Sequence, residues 1–89
     1  MDALTKLATA AISKEFLQKI PRDFARAHAI VSQGIVDNFE ILVIASDTDP
    51  AAIWNTGVRL RRKTTTEIAG REEILQILDS AYGSQQNDG

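Results

Sequence analysis

Eighty-nine residues, 44% apolar and 25% charged, make one globular domain and leave no room for a second core. A net charge of −2 is too small to imply nucleic acid as partner, and the lack of cysteine excludes a disulfide framework, a thiolate nucleophile or a zinc knuckle. No stretch approaches the roughly 20 apolar residues of a membrane span, and Asp2, Lys6 and Lys14 break the pattern of a secretory leader.

Over residues 3–19, Leu4, Leu7, Ala8, Ala11, Ile12, Phe16 and Leu17 follow helical spacing. Ser13 is placed to cap a second helix within that stretch, since a serine oxygen satisfies free amides at a helix start. Pro21 then restarts a short helix, fitting its first position, and Phe24 and His28 fall four apart on one face. Residues 29–36 are the first strand candidate, and Asp37-Asn38 is turn chemistry.

Residues 39–45, Phe-Glu-Ile-Leu-Val-Ile-Ala, carry the strongest strand signal, largely apolar on both alternating faces. They predict a central strand covered on both sides. Asp49-Pro50 opens a helix to about Arg61, the aspartate capping it and the proline taking its first turn. Lys63–Ile68 is β-branched and partly polar, which predicts an edge strand. A right-handed crossover should make these last two strands parallel. Gly70 precedes a helix over residues 71–82 with Ile74, Leu75, Leu78, Ala81 and Tyr82 in one apolar stripe. Gly83 is expected to end it, leaving residues 84–89 as a polar tail or linker. The fold class is α+β, a small three-stranded sheet packed with helices in the order α(α)αββαβα. Residues 1–16 are expected to form an N-terminal helical segment.

The chain offers little catalytic chemistry. Its single histidine, His28, has no recognisable nucleophile to serve or group to orient it. It reads instead as a half-buried residue at a helix end. Asp47 and Asp49 form a D-x-D pair, but a calcium loop counted from Asp47 would need Gly where Ala52 stands and Glu where Val58 stands. Capping accounts for Asp49 without a metal. No phosphate-cradling glycine loop is present, so no catalytic residue, cofactor site or metal site is assigned.

One charge cluster stands out, Arg59, Arg61, Arg62 and Lys63. It has two readings. As a solvated helix end, its cations complement the partial negative charge of the terminal carbonyls. As a site, its arginines would grip an acidic partner or an anion in a bidentate fork. No aromatic residue interleaves the cluster, which argues against a single-strand nucleic-acid platform. Trp54, earlier on the same helix, is either a core or rim residue or, where exposed, an interface anchor.

Several short signatures stand in fixed order: Ile20-Pro21, Ala25-Arg26, Leu42-Val43-Ile44-Ala45-Ser46-Asp47-Thr48-Asp49-Pro50, Arg71-Glu72-Glu73-Ile74-Leu75, and Tyr82-Gly83. That frame, covering about residues 17–83, resembles the N-terminal domain of type II secretion and type IV pilus assembly ATPases, the general secretory pathway protein E family. The chain departs from the family pattern where Val31-Ser32-Gln33 replaces a first-strand proline. It departs again where Arg61-Arg62 stands in place of a glycine.

The resemblance implies a cytoplasmic docking domain that is not itself an enzyme. Such a domain ties a downstream ATPase motor to the cytoplasmic part of an inner-membrane assembly protein, with no nucleic acid and no insertion into the bilayer. The partner surface is expected at Trp54, Arg59, Arg61, Arg62 and Lys63 with the adjoining edge strand. Charge reversal of Arg59 and Arg62 is expected to leave folding intact, because exposed charges contribute little stability. The alternative is a ligand-sensing module taking an anionic nucleotide such as cyclic di-GMP. The Arg-Leu-Gly motif of nucleotide-binding relatives is absent.

Overall fold

The computed structural model describes residues 11–86. Its elements run α1 (Lys14–Lys19), α2 (Arg22–His28), β1 (Ile30–Val36), β2 (Phe39–Ile44), α3 (Pro50–Leu60), β3 (Lys63–Ile68) and α4 (Arg71–Gln86). The class is α+β, as the pattern of the sequence predicts. The expected helix over residues 3–10 lies outside the described residues.

The sheet has the order β1-β2-β3, with β1 and β2 antiparallel and β2 and β3 parallel. Asp37 and Asn38 join the hairpin, both with positive φ (53° and 72°), the conformation a two-residue turn needs to match strand twist. Central β2 buries neighbours that point in opposite directions, Leu42 and Val43, so both sheet faces are covered there. A bulge in β1 takes up one extra residue between Ser32 and Ile35. Gly34 supplies its φ of +99°, and a Cβ there would lie 3.1 Å from the Ala11 carbonyl oxygen.

Helix boundaries follow local chemistry. The Ser13 hydroxyl accepts from the Phe16 amide and opens α1. Pro21 is the residue just before α2, one place ahead of the first helical position expected for it. Ala29 ends α2 in the left-handed region and falls outside β1, where the sequence places it. The Asp49 carboxylate accepts from the Ala51 amide with Pro50 in the first turn of α3.

Gly83 does not end α4. The helix runs on to Gln86, because an interior glycine costs only about 1 kcal/mol relative to alanine and nothing approaches within 4 Å of its missing side chain. The expected tail therefore begins in helix at residues 84–86, while residues 87–89 lie outside the described residues.

The core joins Phe16, Ile20, Ile30, Leu42, Ile74 and Leu78, all fully buried. Helix α1 packs with α3, and α2 packs with α4. Two polar staples close the ends. The Tyr82 hydroxyl donates to the Ile20 carbonyl at 2.6 Å, and the Thr48 hydroxyl donates to the His28 carbonyl at 2.8 Å. Among the described residues no helix is long and apolar enough to cross a membrane.

Candidate functional site

Helix α3 presents two faces. Ala52, Thr56 and Leu60 turn inward, while Trp54 and Val58, four apart, stand 67% and 53% exposed on the other side. The helix ends at Arg61, whose left-handed φ of 56° reverses the chain into β3. Between the helix and the start of β3 lies an open groove of about 380 Å³, lined by Trp54, Gly57, Val58, Arg61, Arg62, Lys63 and Thr64. Gly57 sits on the groove floor beside the strand, where a Cβ would come into contact with the Thr64 methyl at 3.4 Å.

The four cations that adjoin in sequence separate in space. Arg59 lies over the Phe24 ring, 5.9 Å from its centroid, against α2. Arg62 turns in and donates to Glu40 Oε1 at 2.7 Å. Arg61 and Lys63 remain on the groove, exposed, and among the described residues neither has an ion-pair partner. The structure thus brings Trp54, Arg61, Arg62 and Lys63 together and places Arg59 elsewhere. Arg62 is only 24% exposed and serves the interior, so it is not the exposed charge that the expected tolerance of its reversal assumed.

Its partner is the residue that a strand read as apolar conceals. Glu40 has no solvent exposure, and its carboxylate is held from three directions. Ser13 and Ser32 donate their hydroxyls to Oε2, each at 2.5 Å, while Arg62 takes Oε1. Ser32 in turn accepts from the amides of Ser13 and Gly34, so the cap of α1 and the β1 bulge belong to the same network. One signal in the sequence points to it: Glu40 alternates with Leu42 and Ile44, placing a charge on an inward face that demands a cation.

The other candidates resolve locally. His28 is half-buried and packs on Phe24, ring centroids 4.7 Å apart, as expected for a helix-end histidine. Asp49 is occupied as the cap of α3. Asp47 meets Arg71 at 2.9 Å, and that hydrogen bond, reinforced by the guanidinium charge, holds its carboxyl below the usual value.

In comparison with known proteins, no family model matches the chain and no curated protein matches it in sequence.

Proposed function

We propose that the chain is a docking domain of the kind found at the N-terminus of secretion and pilus assembly ATPases, with the α3–β3 groove as its docking face. The observation that carries this reading is the groove itself: a two-thirds exposed tryptophan and Val58 beside Arg61 and Lys63, two cations without an ion-pair partner among the described residues. Exposed Trp beside Arg is the composition from which interface hot spots are built. Free cations at the rim steer an acidic surface and set the encounter rate.

The reading makes the domain a non-catalytic cytoplasmic adaptor between a motor and the cytoplasmic part of an inner-membrane assembly protein. The test is association kinetics with that soluble part. Arg61→Glu with Lys63→Glu should slow association and flatten its salt dependence. Trp54→Ala should speed dissociation at least tenfold, the loss of a hot-spot residue. Unchanged rates in both variants at low salt would move the docking face to the N-terminal helices.

A second reading rests on the same tryptophan and cations. An anionic nucleotide such as cyclic di-GMP could stack on Trp54 with its phosphates on Arg61 and Lys63. Calorimetry with cyclic di-GMP separates the two: micromolar binding, lost on Arg61→Ala with Lys63→Ala, favours the ligand, and its absence favours the protein.

A further inference from the structure

Strand β3 is exposed at every position but Thr64, and among the described residues nothing pairs with its outer edge. The Ala69 amide donates to the Ile44 carbonyl, so strand alternation turns the backbone groups of Lys63, Thr65 and Glu67 toward β2. Those of Thr64, Thr66 and Ile68 point outward. Open edges are normally blunted by charge, proline or a bulge. The charges of β3 are of opposite sign and symmetrically placed, Lys63 two residues before Thr65 and Glu67 two after. A parallel copy in register would set lysine on lysine. An antiparallel copy sets lysine on glutamate.

We propose that β3 pairs antiparallel with β3 of a second copy of this chain, about a two-fold axis at Thr65, making one continuous sheet across both subunits. Outward-pointing residues must face outward-pointing residues for the edges to bond. Within that rule, Thr65 opposite its own copy is the register that sets both Lys63 residues opposite Glu67 of the partner subunit. A shift of two residues one way loses both pairs. The other way would need Arg61 in place of Lys63, and Arg61 is left-handed and outside the strand. In the chosen register the Lys–Glu pairs occupy the non-hydrogen-bonded sites, where opposing side chains approach most closely.

The same register accounts for an apolar residue left exposed in the single subunit. Ile68 is 68% exposed, and it shares a sheet face with Thr64, the residue under Gly57 of α3. Continuing the pairing places Ile68 opposite Arg62 of the partner subunit, at the mouth of the groove that Trp54 and Val58 line. The dyad repeats the contact. Three exposed apolar side chains thus converge twice across one axis.

Because the chain lacks cysteine, introduced thiols report the register directly. Two copies of Thr65→Cys would meet on the axis with Cα atoms about 4.5 Å apart, within disulfide reach. Two copies of Thr66→Cys would stand about 8–9 Å apart, beyond it. Mild oxidation of the full chain should therefore cross-link Thr65→Cys rapidly and Thr66→Cys poorly. A mixture of Thr64→Cys and Thr66→Cys chains should form the mixed dimer. By sedimentation equilibrium, Lys63→Glu should weaken dimerisation roughly tenfold by setting like charges opposite twice, and adding Glu67→Lys should restore it. Equal cross-linking of Thr65→Cys and Thr66→Cys, or no recovery in the charge-swapped chain, overturns the proposal. Neither readout involves a docking target, so it stands or falls apart from the docking reading.

Discussion

Arg62 and Glu40 are 22 positions apart in the chain and 2.7 Å apart in space, a guanidinium nitrogen donating to a carboxylate with no solvent exposure. The pair ties the exit of α3 to the middle strand of the sheet. Through Ser13 and Ser32 the same carboxylate reaches the cap of α1 and the β1 edge. A groove-lining residue is therefore also a structural one, and functional mutagenesis must keep the two roles separate.

Arg62→Ala should destabilise the domain by about 3–5 kcal/mol, because it leaves a buried carboxylate without its cation. Arg59→Ala removes a contact over the Phe24 ring and should cost about 0.5–1 kcal/mol. Urea denaturation of the two variants checks the contrast. A loss under 1 kcal/mol for Arg62→Ala would show that the serine hydroxyls alone hold the charge.

The strands and turns were legible because their signals are local. Asp37-Asn38 marks a hairpin, Asp49-Pro50 a helix start, and residues 39–45 a central strand by composition alone. The Glu40 network was not. Its four members come from the head of α1, β1, β2 and the exit of α3, and only the finished fold brings them together. The site was half legible for the same reason. Arg59 to Lys63 read as one patch, yet the helix turn and the left-handed step at Arg61 send Arg59 to α2 and Arg62 inward.

Arg61→Gly separates folding from docking. A non-glycine residue in the left-handed region costs roughly 1 kcal/mol, and glycine removes that cost at a helix C-terminus. The variant should gain about 0.5–1 kcal/mol in urea denaturation while association with an acidic target slows. Faster association in this variant would remove Arg61 from the docking face.

Tyr82 sets an alkaline limit on stability. Burial disfavours its phenolate and pushes the group from an ordinary value of 10.0 up to about 12. The folded state thus binds the proton more tightly than the unfolded chain. Its contribution is fully present below pH 10 and is lost as pH rises toward 12. As Tyr82 is the single tyrosine, ultraviolet absorbance of the phenolate follows it directly. Ionisation should coincide with unfolding in the native chain. Tyr82→Phe should cost about 1–2 kcal/mol at neutral pH, through the hydrogen bond lost at the Ile20 carbonyl. It should also flatten the alkaline limb. Ionisation near pH 10 in chains still folded by circular dichroism would contradict this account.

The proposed edge pairing and the proposed docking would use the same groove, which would make them antagonists. In the antiparallel dimer Ile68 of the partner subunit stands at the groove mouth beside Trp54 and Val58, where an acidic target would seat its own apolar contact. A target must then displace the second copy before it reaches the tryptophan, so its apparent affinity falls as the domain is concentrated. Thr65→Cys tests this without altering any residue that lines the groove. Oxidised, the locked dimer should lose binding to the soluble part of the assembly protein. Reduction should return it to the level of the native chain. Docking retained at full strength by the disulfide-locked dimer would place the target's site away from the groove, while leaving the cross-link itself as support for the pairing.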